Sequence, residues 1–510
     1  MLLPAIGCAV AVAMPIIYLL VRAFQSDAAQ VGRDLWRHRT FLLLRDTVAL
    51  TMGVLVFVTA LAFPIAYLTS RTKLRGRRVF ALIGVLPLAV PGYIMAYALL
   101  GLGEYGGPWH LLTGTPRPAP KGYWGALLAL GMYNMPYMYL NLRAAISDLD
   151  PSIREAGLSL GRGRIGVFVQ LVLPQLRPAL LAGALIVSLH VIGDFGVVSL
   201  MDYETLSFAL YDVYSTGDRV AAAAPALMLI VLALLILAAD AWFLRGLILH
   251  RTTSGLTPRR PLTELGWWAL PAHLFLAAVL LIGVLAPAAL VLFWIVQPTL
   301  TPVGHSVLPA LSRSLLNSLP AAFGATALAI PVAFLARRYP SPLSTVLERC
   351  AFAGYAVPTL AFALGLIFFT SKLTPVLYQS FALLIAAYSI HFLAEAVGPI
   401  RSGLYLANPR LEEASRGLGM GWISTFRRVT LPLLRNSLIV AASLVFLSVM
   451  KELPLTMLLA PVPFNETLAF NVWSHTENAG FVEAAPFALC ILLSSAAFVG
   501  VLLSGVRQGS

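Results

Sequence analysis

The chain has 510 residues, of which 59% are hydrophobic and 11% charged, and a formal net charge of +13. Soluble domains carry about 25% charged residues, so this composition excludes a soluble globular protein and identifies an integral membrane protein. The positive charge is then expected in cytoplasmic loops, as the positive-inside rule requires, and is not a footprint for nucleic acid.

Runs of about 20 apolar residues, the length that spans a bilayer, recur about twelve times. They lie near 3–24, 44–69, 79–102, 123–145, 178–201, 220–244, 268–296, 314–336, 347–371, 376–402, 435–460 and 481–505. Backbone in lipid must satisfy itself, and alternating strand patterns are absent, so the spans are read as helices. The first run lacks a basic start and a clean A-x-A cleavage site. It reads as a first span rather than a removed signal, and the very short N-terminus is compatible with a truncated start. Cys8, Cys350 and Cys490 lie far apart in apolar runs and suggest neither a disulfide framework nor a metal cluster.

Orientation follows from the loops. Arg71, Lys73, Arg75, Arg77 and Arg78 follow span two, Arg245, Arg251, Arg259 and Arg260 follow span six, and Arg337, Arg338 and Arg349 follow span eight. All fall on one side if the N-terminus is cytoplasmic, whereas the opposite loops hold Asp202, Glu204, Asp212, Asp218, Glu466 and Glu477. Residues 25–45 dissent, with Arg33, Arg37, Arg39 and Arg45 on the outer side, partly offset by Asp27, Asp34 and Asp46.

The chain is an internal repeat. FPIAYL (63–68) matches IPVAFL (330–335), and Pro91 pairs with Pro358, both at an offset of 267. Glu155 pairs with Glu413 at 258, so the first half holds nine more residues, expected in the Pro-rich loop 113–122. ETLSF (204–208) matches ETLAF (466–470). The expected organisation is a first six-helix half at 1–246, a cytoplasmic linker at 247–266 and a second six-helix half at 267–510. An even number of spans per half makes the halves parallel repeats about an axis along the membrane normal.

Two basic, polar stretches at equivalent places interrupt the apolar pattern: residues 155–174 (EAGLSLGRGRIGVFVQLVLP) and 413–432 (EASRGLGMGWISTFRRVTLP). Each begins with Glu-Ala (Glu155-Ala156, Glu413-Ala414), has Gly six residues after the Glu (Gly161, Gly419) and closes on Leu-Pro (Pro174, Pro432). A Glu on a short exposed helix can reach a cation on a partner. The Gly is expected where a side chain would clash as the chain reverses, and the Pro marks the start of the next segment. These stretches resemble the EAA loop of ABC-importer permeases, which docks onto the ATPase subunit, although the third position is Gly157 or Ser415 rather than Ala.

Other motifs carry no chemistry. GRGRIG (161–166) fits a dinucleotide fingerprint but has no βαβ unit around it. GLSLG (157–161) fits a nucleophile elbow, yet its copy has Gly417 where the first has Ser159. No Lys follows a Gly and no His precedes a Glu, so there is neither a P-loop nor a zincin motif.

Charges inside a bilayer are costly and usually face a bundle interior or wet cavity. Asp194 (HVIGDFG, span five) and Glu452 (VMKELP, span eleven) are repeat equivalents at 258. Each lies about 24 Å into its helix, in the outer part of a core of about 30 Å. They are expected to face each other along a central pathway; a helix-end acid bonded at the interface is the alternative. Lys451 is expected to snorkel outward. His391 and Glu395, four apart, are expected on one face of span ten, in interhelical packing or pairing or on the path. No dense cluster of His, Tyr and carboxylate is apparent, and no metal site is assigned.

Nearly the whole chain resembles the fused two-half permeases of ferric-iron ABC importers, most closely at GDFGVVSL, YETLSFALYDVY, VMKELPLTMLL, FNETLAFNVW and the two EAA loops. The resemblance implies an all-α membrane protein of about twelve transmembrane helices with the type I ABC importer permease fold, in the bacterial inner membrane, with both termini cytoplasmic. It implies two ATPase subunits below, where ATP binds, and a periplasmic solute-binding protein above. The chain itself would hold no cofactor and catalyse no reaction. A thiamine, phosphonate or other small-solute permease of the same build is the alternative; a proton-driven secondary carrier would have no use for an ATPase-docking loop.

Overall fold

A computed structural model of the chain describes residues 1–117, 120–149, 157–161, 163–217, 221–244, 262–298 and 304–508. Among them every expected span is helical. Spans one and two are Leu2–Leu35 and His38–Arg71; span four is Gly122–Asp148; span six is Ala223–Leu244; span eight is Gly304–Arg338 and span twelve Phe481–Gln508. The others are interrupted. Seven helices are long and apolar enough to cross a membrane, or up to eleven if each bent pair is one span. Span four has the length, 27 residues or about 40 Å, but Asn134, Asn141 and its tyrosines make it more polar.

The interruptions have local causes. Span three turns by 88° between Arg77–Ala89 and Gly92–Thr113, and span nine by 104° between Pro342–Ala356 and Thr359–Leu373. The breaks fall at the equivalent pairs Val90-Pro91 and Val357-Pro358. Both valines are extended, with ψ of 101° and 127°, because a following proline disfavours the helical region. Span ten bends by 49° between Phe381–His391 and Leu393–Leu406. His391 and Glu395 therefore flank a kink instead of sharing one helix face, which corrects the expectation from their spacing.

Three π-turns, Phe168–Val172, Leu281–Leu285 and Phe426–Thr430, each lead into a residue followed by proline: Leu173-Pro174, Ala286-Pro287 and Leu431-Pro432. In each, the residue before the proline donates its N–H five residues back, to Phe168, Leu281 or Phe426. A proline inside an α-helix lacks a donor and clashes with the carbonyl four residues back. The wider π-turn moves that carbonyl aside, so these helices absorb a proline and continue.

The described chain forms two compact units. One contains residues 1–41, 206–230 and 297–510, the other 42–205 and 231–296. The repeat halves and the compact units are thus composed differently, because the first span of each half packs with helices of the other half. In the first unit, span one lies along Thr359–Leu373 and Pro342–Ala356. Cys8 Sγ donates to Leu328 O at 3.7 Å, and Tyr18 meets Phe369 edge-on at 5.6 Å. A side chain at Gly365 would put its Cβ 2.4 Å from the Pro15 carbonyl oxygen, so only glycine permits this approach. In the second unit, span seven (Ala269–Leu280 and Ala286–Ile295 around its π-turn) packs on Gly92–Gly103.

The linker is described only from Leu262. There Thr263 forms an isolated parallel bridge with Thr72: Lys73 N donates to Thr263 O and Thr263 N to Arg71 O, both at 2.9 Å. Lys73 Nζ pairs with Glu264 at 2.7 Å and holds its carboxyl below the usual carboxylate range. The dissenting basic loop is partly neutralised as well: Arg45 pairs with Asp46 at 2.8 Å, and Arg39 lies 4.0 Å from Asp212. Between spans three and four the first half builds a short helix, Pro108–Thr113, whereas 374–380 alone joins Thr359–Leu373 to Phe381–His391. The expected insertion therefore begins before residue 113.

Candidate functional site

The second repeated loop is described throughout. Asn408 caps the helix Pro409–Gly417, its side chain accepting from Arg410 N at 3.0 Å, with Pro409 at the favoured first position. Glu413 and Ala414 are exposed on this helix. Glu412 instead turns inward and pairs with the buried Arg338 at 3.0 Å. Ser415 Oγ lies 3.0 Å from Thr425 Oγ1, tying the start of the loop to the helix Trp422–Thr425 that follows it. In the first loop Glu155 and Ala156 fall outside the described residues. Gly157 takes the place of Ser415: its Cβ would lie 2.6 Å from Leu171 and 3.0 Å from Val167, the equivalent of Thr425. One copy thus joins the two segments by close packing and the other by a hydroxyl pair.

Gly161 and Gly419 have φ of 76° and 84°. A Cβ built on either meets nothing within 4 Å. The expected clash is therefore absent; the glycines are required by the left-handed backbone itself. Pro174 and Pro432 sit two residues beyond the ends of the two equivalent π-turns.

Sequence reasoning missed two features of these loops. Leu160 and its equivalent Leu418 are 79% and 85% exposed, and Ile165 and Ile423 are 81% and 66% exposed. Identical exposed aliphatics at the 258-residue offset were the available signal. Beside Ile423 an open groove of about 880 Å³ is lined by Gly421, Trp422, Ser424, Arg427 and Arg428. Second, the equivalent arginines Arg71 and Arg338, ending spans two and eight, grip the backbone that leads into each loop. Arg71 donates to Ile146 O at 2.9 Å and Leu149 O at 2.5 Å; Arg338 donates to Ala407 O, the equivalent of Leu149, at 3.1 Å. The position of each loop is thereby fixed to the end of a membrane helix.

Within the spans, Asp194 and Glu452 occupy the same kind of break. Asp194 ends Leu173–Gly193, and its Oδ1 accepts from Val197 N at 2.8 Å. Glu452 follows Arg435–Met450, and its Oε1 accepts from Leu455 N at 3.0 Å. Each acid satisfies an N–H at the start of the short helix beyond it, Gly196–Leu200 or Pro454–Leu459. His391 is buried among Phe362, Phe392 and Tyr355, with ring separations of 5.1, 5.0 and 6.1 Å, and its Nδ1 has no hydrogen-bond partner. Glu395 accepts from Ser448 Oγ at 2.7 and 2.9 Å. Lys451 is half-buried and lies within electrostatic reach of Glu395.

The structure also assembles a cluster that the sequence did not suggest. Tyr137 and His190 stack with ring centroids 4.7 Å apart, and Tyr133 lies 6.3 Å from Tyr137 and 6.5 Å from His190. Tyr133 and Asp194 both border Gly92, at 3.7 and 3.9 Å from the position of a Cβ there. Among the described residues no group of three or more His, Cys, Asp and Glu could hold a metal ion; this cluster draws on tyrosine instead.

The family described as "Binding-protein-dependent transport system inner membrane component" matches residues 59–249 and again 325–507. The chain is 28% identical to the Fe(3+)-transport system permease protein FbpB 2 of Haemophilus influenzae, over 94% of its own length and 93% of that protein. It is 33% identical to a probable molybdenum ABC transporter permease protein of Haloferax volcanii, over 34% of the chain and 64% of that protein. It is also 24% identical to the sulfate transport system permease protein CysT of Salmonella typhimurium, over 36% and 67% respectively. With the family matched once in each half, this chain belongs to the binding-protein-dependent inner-membrane permeases of ABC transporters, as a fused two-half, multi-pass member.

Proposed function

We propose that this chain forms the membrane pathway of an importer for ferric iron. The similarity to a ferric-iron permease over nearly the full length of both proteins carries the reading. The carboxylates of Asp194 and Glu452, one in each half, support it, because carboxylate oxygens suit a hard cation. Lys451 does not argue against it, since Glu395 answers its charge. A periplasmic binding protein delivers the cargo. Two ATPase subunits bind ATP, one seated on each repeated loop; the exposed Leu160, Ile165, Leu418 and Ile423 give each seat an apolar contact, and Glu155 and Glu413 are the acids offered to the partner. Both termini and residues 247–266 then lie in the cytoplasm with the loops.

The molybdenum and sulfate relatives favour a second reading, an oxyanion importer. A carboxylate in each half opposes it, because an oxyanion would be repelled along that path. The test is uptake of radiolabelled ferric iron, molybdate and sulfate by cells carrying the chain with its neighbouring transport genes, for wild type, Asp194→Asn, Glu452→Gln and the double variant. Iron uptake that falls in the double variant at matched expression supports the reading. Unchanged uptake removes the acids from the path, and oxyanion uptake without iron uptake removes the ferric assignment.

A further inference from the structure

The geometry points to a cargo-holding site within the first half, made by Tyr133, Tyr137, His190 and Asp194, that takes ferric iron in transit. This rests on the ferric reading above and adds the residues that hold the ion. Tyr133 and Tyr137 are four apart on span four and share one face of it, whereas His190 lies in the last turn of Leu173–Gly193 and Asp194 is the extended residue just beyond that helix. These two helices pack against each other. The aromatic distances bring three of the rings into one cluster, and Tyr133 and Asp194 both border the Gly92 backbone. A side chain at Gly92 would crowd this point, because its Cβ would fall 2.7 Å from Val197.

Burial distinguishes the two tyrosines from their neighbours on span four. Met132, Asn134, Met135, Pro136, Met138 and Tyr139 beside the tyrosines are all buried, whereas Tyr133 and Tyr137 are half-buried, as are His190 and Asp194. A polar group inside a membrane protein faces the bundle interior or a wet cavity. The chemistry is matched to one cargo. Two phenol oxygens, a carboxylate and an imidazole are oxygen-dominated donors for a hard trivalent cation. They would give an oxyanion no fixed positive charge. On coordination each phenol loses its proton to a hydroxide or buffer base that accompanies the hydrated ion, and the proton returns when the ion leaves.

The repeat makes the same case independently. At the 258-residue offset, Tyr133, Tyr137, His190 and Asp194 correspond to His391, Glu395, Ser448 and Glu452. All four positions are polar in both halves, yet the second half puts a hydrogen-bonded Glu395–Ser448 pair where the first has the Tyr137–His190 stack. The second half has no tyrosine at either equivalent position, and the phenol near its cluster, Tyr355, is engaged by Glu395, so we assign holding to the first.

The experiment uses the purified full chain, with its ATPase subunits, in lipid nanodiscs, titrated with ferric nitrilotriacetate. Phenolate bound to ferric iron gives a visible charge-transfer band, a readout that needs no transport. The wild type should develop this band, and Tyr133→Phe/Tyr137→Phe should lose it while keeping both rings and their packing. Ferric uptake by the same variant should fall about tenfold or more, the loss expected when metal contacts are removed. His190→Gln, which leaves both phenols, should keep a shifted band. A wild type without the band, or a double-Phe variant with an undiminished band or normal uptake, overturns the site. Absence of iron uptake by the wild type overturns the ferric reading instead, so the two failures are separable.

Discussion

Replacing Gly419 isolates what the repeated loop requires of its backbone. At φ of 84° an L-residue sits in the left-handed region, at a cost of roughly 1–2 kcal/mol. No atom lies within 4 Å of the added Cβ, so Gly419→Ala incurs that backbone cost and no steric one. A cost of that size shifts the loop away from its docking shape by about 5- to 30-fold. Gly161, at φ of 76°, should behave alike, and the two sites, one in each compact unit, should add to about 2–4 kcal/mol. Asn tolerates this conformation better than Ala, so Gly419→Asn should retain more function. The assay is co-purification of the ATPase together with the initial uptake rate, at matched membrane levels. The expected order is wild type, Asn, then Ala, with Gly161→Ala/Gly419→Ala lowest. Ala and Asn variants both equal to wild type would refute the backbone argument.

Cysteine labelling from outside should miss Thr253→Cys and reach Gly114→Cys; the reverse pattern would invert the orientation and remove the docking role of the loops. Arg338→Met should lower the thermal midpoint of the chain by leaving the buried Glu412 carboxylate unpaired, a loss of about 3–5 kcal/mol, and Arg338→Met/Glu412→Gln should recover part of it. An unchanged midpoint in the single variant would show that the pair does not anchor the loop. Lys73 lowers the folded-state pKa of Glu264 below its ordinary 4.5, so their pairing contributes above that pH and is lost as the pH falls through the depressed value. Hydrogen-exchange protection of the Thr263 amide should decline on that acidification and be less pH-sensitive in Glu264→Gln.

Much of this architecture is legible in the residues. Hydrophobic run length locates the spans because lipid leaves few alternatives, and Pro64/Pro331 and Glu155/Glu413 align the halves. What escapes is where a span stops being straight. Val90-Pro91 and Val357-Pro358 serve as repeat markers in the sequence, yet they also break spans three and nine. The proline of each Leu-Pro reads as a helix start, although a π-turn carries the helix through it. For the site, spacing exposes the loops and the lone acids. The Tyr133–Tyr137–His190–Asp194 cluster stays hidden because its members come from two helices and tyrosines are common in apolar runs. The role of Gly161 and Gly419 is legible in kind only: an absent side chain is compatible with crowding or with a positive φ, and coordinates decide between them.

The placement of span one also sets a schedule for synthesis. Cys8 meets Leu328 across 320 residues of chain. At a translation rate of about 5–20 residues per second, span one waits roughly 15–65 s in the bilayer before that surface is made. During that interval Gly365 and Phe369, its eventual neighbours, have not been made. The first half therefore cannot mature as a finished module, and its newborn leading helix stands open to quality-control proteases until the second half arrives. Fusing both halves in one polypeptide supplies the later surface at equal dose.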